Sequence, residues 1–263
     1  MYRVIASDLD GTLLNPDHRV SEVTKQTIHA LLAKGKKFII ATGRHHIDVK
    51  AIKEAIGADI YLITSNGARV HNAQGELVFS QNVAPEIAQQ LSELVLPTGV
   101  QANIFRDDDW FINEESQELL DFSQDSTFSY EVADLSRLDK HGVAKFFFCG
   151  PHEQLVTIER QIKAQFADAV NTSFSLPKCL EVMDISVNKA SALTEVLKLK
   201  GFTLADTIAF GDGMNDVEML QAVDKGLIMG NAANMLKTAL PEHEVIASSA
   251  DDGVARYIKA NIL

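Results

Sequence analysis

The sequence predicts an α/β protein, a doubly wound parallel sheet carrying a smaller inserted α+β domain, and three observations lead there. The runs Arg3–Ala6, Phe38–Ala41 and Thr207–Phe210 are short, continuous and aliphatic, as strands buried on both faces are. Helical segments alternate with them, and strand–helix–strand order implies parallel pairing through right-handed crossovers. Between about Ala84 and Asp184 the pattern changes to short runs separated by turns, so the alternation is interrupted and then resumes.

The elements follow in order. After the first strand, Ser21 caps a helix with Val23, Ile28, Leu31 and Leu32 on its inner side, ending at Gly35. The second strand follows, and then a hairpin over residues 68–79 that turns at Asn72 and Gly75. The middle carries strand-like runs at Gln101–Phe105, Trp110–Ile112 and Lys145–Cys149, with helices near Glu86–Val95 and Glu153–Phe166, which suits an antiparallel sheet with helices on one face. A last long helix begins near Lys189, turns Leu193, Val196 and Leu197 inward, and ends at Gly201 before the third strand. The reading is a discontinuous main domain, 1–82 and 186–263, with an insert at 83–185. There is no internal repeat.

The chain of 263 residues has a net charge of −12, which argues against nucleic acid or an anionic membrane as partner. No apolar stretch approaches the roughly 20 residues of a membrane span, and the N-terminus, entering a strand at once, lacks the apolar core of a signal peptide. A cytoplasmic location is therefore expected. The two cysteines, Cys149 and Cys179, are expected to be reduced. Nothing in the sequence fixes the oligomeric state.

Chemistry is concentrated where the three strands end. The first ends in Asp8 and Asp10, two like charges close together that need a cation or a shared proton to relieve them. Gly11 then permits a turn that a Cβ would obstruct. The second ends in Thr42-Gly43-Arg44 and the third in Gly211-Asp212-Gly213-Met214-Asn215-Asp216. In an open parallel sheet ligands bind at these carboxyl ends. Four carboxylates gathered there suit a hard divalent cation, Mg²⁺, shared with substrate phosphate. Lys189, at a helix start, adds a fixed cation beside free amides, a natural phosphate site.

The segments DLDGT (8–12), ATGR (41–44), SVNKASAL (186–193) and GDGMND (211–216) resemble, in order and spacing, the four signature motifs of the haloacid dehalogenase-like phosphatases. ITSNGA (63–68) and ADDGVA (250–255) strengthen the likeness to the Cof-type branch of small-molecule phosphatases. ATGRHH (41–46) and FRDDDWF (105–111) are most similar to enterobacterial pyridoxal phosphate phosphatases. The resemblance implies a Rossmann-like core with a cap of the C2 type between the second and third motifs. It also implies a Mg²⁺-dependent phosphoric monoester hydrolase acting on small phosphorylated metabolites, with pyridoxal 5′-phosphate leading and sugar phosphates as the alternative.

By that resemblance Asp8 is the nucleophile and Asp10 the general acid and base. Mg²⁺ falls to Asp8, the carbonyl of Asp10 and Asp212, with Asp216 in support. Phosphate falls to the Leu9 and Gly43 amides, Thr42 and Lys189, with Asn215 as a further candidate. Ala190 departs from the glycine that often follows the motif lysine, a change helix propensity tolerates. Arg44 either contacts substrate or pairs with an acid, and Asn66 either lines the site or turns the chain. His45 and His46 read as solvated or helix-end residues without a metal role. Trp110 and Asp107–Asp109 read as a loop tip of the insert or as part of substrate selection.

Rival classes are separable. A phospho-acceptor signalling module needs no second aspartate and is far shorter. A phosphomutase of this superfamily carries its cap between the first two motifs, where Asp8 and Thr42 leave room only for a βαβ crossover. Neither a dinucleotide fingerprint nor a P-loop follows the first strand.

Overall fold

The computed structural model describes residues 2–115 and 128–263; residues 116–127, inside the insert, lie outside the described residues. Contacts divide the chain into two units, 1–79 with 188–263, and 80–187. The sequence reading set these boundaries at 82/83 and 185/186.

The first unit is built on an eight-stranded sheet. Its strands are β1 Val4–Ser7, β2 Lys37–Ala41, β3 Tyr61–Thr64, β4 Arg69–His71, β5 Leu77–Ser80, β12 Thr207–Gly211, β13 Lys225–Ile228 and β14 Glu244–Val245. Spatial order is β14-β13-β12-β1-β2-β3-β4-β5. β1 lies between β12 and β2, parallel to both, with Ser7 level with Phe210 and Ile40. That register puts the residues after all three strands at one edge. β4 runs antiparallel to β3, and the turn after it closes at Asn72 and Gly75 as the hairpin signal predicted.

Helices cover both faces. Ile5 of β1 packs with Ile28 and Leu31 of α1 (Glu22–Ala33), Val49 and Ile56 of α2 (His46–Ile56), and a C-terminal helix, Gly253–Asn261. Val4 and Ala6, on the other face, pack with Leu193, Val196 and Leu197 of Lys189–Lys200. Each such aliphatic side chain removed from water contributes about 1.5–3 kcal/mol. Ser21 caps α1, its side chain accepting from Thr24 N. Val23, however, is 40% exposed, because the buried stripe is Thr24, Thr27, Ile28 and Leu31. That stripe follows helical spacing, and its two threonines read as polar in the sequence.

The second unit has its own sheet. Its strands are β6 Gln101–Phe105, β7 Trp110–Ile112, β8 Glu131–Val132, β9 Lys145–Cys149, β10 Val170–Leu176 and β11 Cys179–Asp184, ordered β10-β11-β9-β6-β7-β8. Its pairs are antiparallel except β7 with β8. α3 (Pro85–Ser92) and α4 (His152–Phe166) share one core with alternate strand residues: Ala102, Ile104, Phe146, Phe148, Leu180 and Val182. Trp110 is no loop tip. It is 2% exposed, and its Nε1 donates to Asn103 Oδ1 at 3.0 Å. Phe111 points the other way, into the helix-packed core. Asp107–Asp109 are exposed.

The remaining helices of the first unit are α5 Lys189–Lys200, α6 Val217–Ala222, α7 Asn234–Ala239 and α8 Gly253–Asn261. Among the described residues no helix is long and apolar enough to cross a membrane.

Candidate active site

After β1 the chain makes a single wide turn, Leu9–Leu13, closed by Leu14 N donating to Leu9 O at 2.9 Å. Gly11 sits in it at φ 71°, and a Cβ there would lie 2.3 Å from Asp212 Oδ2. Only glycine satisfies both the left-handed backbone and the approach of that carboxylate. The turn is tied from outside by Asn231, whose Nδ2 donates to Gly11 O at 2.7 Å while its Oδ1 accepts from Ser249 N at 2.9 Å. Asn231 was not singled out in the sequence; its signal was only the loop following β13.

Asp8 and Asp216 share a cation. Lys189 Nζ, fully buried as the first residue of α5, lies 2.5 Å from Asp8 Oδ1 and 2.7 Å from Asp216 Oδ1. Asp216 uses its other oxygen to accept from the amides of Asp212 at 3.0 Å and Gly213 at 2.9 Å. It therefore organises the loop after β12 rather than facing outward. Thr12 Oγ1 donates to Asp212 Oδ1 at 2.9 Å, joining the first and last motifs.

Three carboxylates against one ammonium leave the cluster electrostatically under-compensated. Burial, partly offset by the Lys189 charge and reinforced by Asp216 and Asp212, holds the Asp8 carboxyl well above the usual range. Burial and then the charge of Asp216 push Asp212 up to about 6. Burial opposes the charge on Lys189, but Asp216 and Asp8 outweigh it and hold the ammonium above its ordinary value. Oxygens of Asp8, Asp212 and Asp216 lie within 4.8 Å of one another. An all-oxygen donor set with excess negative charge and carboxyls reluctant to ionise fits a hard divalent cation.

Arg44 grips Asp10, with Nε 2.7 Å from Oδ2 and Nη2 2.5 Å from Oδ1. This fork fixes where the Asp10 carboxyl points. Asn66 is 2% exposed, and its Oδ1 accepts from Asn215 Nδ2 at 3.0 Å, so each of these side chains holds the other. Ser65, Asn66 and Gly67 are consecutively left-handed, at φ 49°, 56° and 108°. Such strain persists only where surroundings enforce it: Asn66 N donates to Thr42 O, and a Cβ on Gly67 would meet Asn188 O at 2.4 Å. This turn thus seats β2's end against the N-terminus of α5. Thr42 is buried, its Oγ1 accepting from Arg44 N at 3.1 Å. Leu9 is buried within the turn, and Gly43 lies against Asn66, with Oδ1 2.9 Å from where its Cβ would be. His45 caps α2 through Nδ1, accepting from Ile47 N, and is 1% exposed; it is a helix-end residue but not a solvated one.

Gly11→Ala is expected to displace Asp212 and lower divalent-cation affinity roughly 10–100-fold, as loss of a supporting contact does. Calorimetric titration of the variant with Mg²⁺ checks it.

A sheet whose central strands end in a lysine-bridged aspartate cluster defines a class, and the comparisons agree with it. Residues 5–258 match the family described as haloacid dehalogenase-like hydrolase. A Haemophilus influenzae protein is 43% identical over 98% of this chain and 96% of its own. A Serratia proteamaculans protein named HMP-PP phosphatase is 38% identical over 98% of this chain and 95% of its own. A crystal structure from Thermotoga maritima superposes with a TM-score of 0.84 at 26% identity, covering 100% of this chain and 98% of that one. The chain belongs to the haloacid dehalogenase-like hydrolases. Within them it falls with the phosphatases of the Cof-type branch.

Proposed function

We propose that the protein is a Mg²⁺-dependent phosphatase of small phosphorylated metabolites, working through an acyl phosphate on Asp8 (an aspartyl-phosphate), with pyridoxal 5′-phosphate as leading substrate. The observation that carries the chemistry is Lys189 bridging Asp8 and Asp216 beside Asp212.

Asp8 Oδ2, the oxygen not held by Lys189, attacks phosphorus, and the bond to the leaving oxygen breaks as Asp10 gives that oxygen a proton. Asp10 then takes a proton from water, whose oxygen attacks the aspartyl-phosphate, releasing inorganic phosphate and restoring Asp8. Lys189 fixes the attacking carboxylate and offsets phosphate charge. Thr42, the Gly43 and Leu9 amides and Asn215 are the remaining phosphate contacts. Arg44 sets the orientation of Asp10 and is the group placed to exchange that pairing for substrate oxygens. Bound by Asp8, the Asp10 carbonyl and Asp212, with Asp216 in support, Mg²⁺ supplies charge neutralisation.

The 80–187 unit is proposed as the cap that selects the leaving group and excludes water. Its support is its place in the chain, between Thr42 and Lys189. The cytoplasm is the proposed compartment.

Pyridoxal 5′-phosphate rests on ATGRHH and FRDDDWF. HMP-PP is the second reading, favoured by the Serratia relative's name. Turnover over affinity across pyridoxal 5′-phosphate, HMP-PP and hexose and pentose phosphates is the test. Equal or better values on the sugar phosphates would remove the leading substrate and leave the class intact.

Because proton and cation compete for Asp212, held at about 6 without metal, Mg²⁺ affinity is expected to be full well above that pH. Below it, affinity should fall roughly tenfold or more per pH unit, because the Asp8 carboxyl is held up as well. Titrations from neutral to acid pH check the sign; affinity independent of pH across that range would contradict the proposed ligands.

A further inference from the structure

We infer that Cys149 and Cys179 form a dithiol site that a small disulfide oxidant closes reversibly into a cross-strand disulfide. They are register partners, directly opposite each other on antiparallel β9 and β11. Gly150 N donates to Lys178 O at 3.1 Å just beyond them. That bond places Gly150 and Lys178 at a hydrogen-bonded position, so the cysteines occupy the adjacent non-hydrogen-bonded one. There opposed Cα atoms stand about 4.5 Å apart and side chains are closest, inside the roughly 4.4–6.8 Å range that disulfides span.

A hydrogen bond with Cys149, ahead of burial, pushes the Cys179 thiol well above its ordinary value. Neither cysteine belongs to the helix-packed core, which takes Phe148 and Leu180 from the opposite face of the same strands. On the cysteines' own face the next residues are Phe147 and Glu181, and Glu181 is paired with Lys145. Both cysteines are half-buried residues outside any disulfide.

The chemistry balances with oxidised glutathione as co-reactant. A protein thiolate attacks one glutathione sulfur, the glutathione disulfide breaks, and one glutathione leaves as its thiol. The second protein thiol, losing its proton, attacks the protein sulfur of the mixed disulfide and expels the other glutathione. Two protein thiols are oxidised and one glutathione disulfide becomes two thiols. The new bond ties β9 to β11 and encloses α4 and β10 in a covalent loop.

The test treats the folded, full-length protein with oxidised glutathione and reads mass, thiol titre and peptide map. Expected are loss of both titratable thiols, a mass lower by two hydrogens, a linked Cys149–Cys179 peptide and full reversal by dithiothreitol. Cys149→Ser and Cys179→Ser should each retain one glutathione instead. Wild-type protein that keeps glutathione on either cysteine, links two chains, or stays reduced while its urea-unfolded form reacts would overturn the inference. The wild-type reading stands by itself should either variant fail to fold.

Discussion

Asp8→Asn is expected to abolish turnover without weakening the fold. The substitution removes the proposed attacking oxygen and a proposed charged cation ligand together, and loss of a nucleophile acting within a catalytic unit costs roughly 10⁴-fold or more. Stability should move the other way, or not at all. Asp8 is buried among Asp212 and Asp216, and its carboxyl is held well above the usual range chiefly by that burial. A neutral amide relieves the like-charge contact and leaves Lys189 paired with Asp216. Urea unfolding in EDTA should therefore give a midpoint equal to or above wild type. A large destabilisation would mean that Asp8 is held for structure rather than chemistry.

Lys189→Met should damage both properties. It removes the one ammonium between two buried carboxylates, and breaking a buried pair from one side costs about 3–5 kcal/mol. The rate should fall roughly 10²–10³-fold, as when a preorganised charge aimed at the transition state is removed. Adding Asp216→Asn should recover part of the stability, since it deletes one stranded carboxylate, and none of the rate. Denaturant titrations of the two single variants and the double variant give the coupling directly. Additive losses would show that Lys189 and Asp216 do not act as a pair.

The sequence is most legible where the backbone pattern and the chemistry coincide. β1, β2 and β12 are continuous apolar runs that end in glycine-flanked polar residues, and the parallel register brings those ends level. Lys189 at the first turn of α5 could be read from its place before an apolar helical stripe. Contacts that depend on tertiary approach carried no local signal. Asn66 looks like an ordinary turn residue, and only the folded chain sets it against Asn215. Asn231 reaches the Gly11 carbonyl across 220 positions of sequence. β10 was missed because Val170–Leu176 is mostly half-buried and mixes polar with apolar residues, which blurs the period-two signal. Trp110 was misread because three preceding aspartates suggest a solvated tip, whereas Asn103 on the paired strand gives its indole a buried acceptor.

The central claim is that phosphate passes through Asp8, and trapping the intermediate tests it most directly. On the proposed roles, Asp10→Asn keeps the nucleophile but cannot exchange the catalytic proton, a loss of roughly 10²–10⁴ in rate. With an activated substrate whose leaving group needs little protonation, formation of the intermediate should suffer less than its hydrolysis. Rapid-quench mass spectrometry of that variant with Mg²⁺ should then show one phosphate, mapped to Asp8, accumulating within the first turnover. Phosphate on another residue, or a phosphorylated Asp8→Asn protein, would contradict the account.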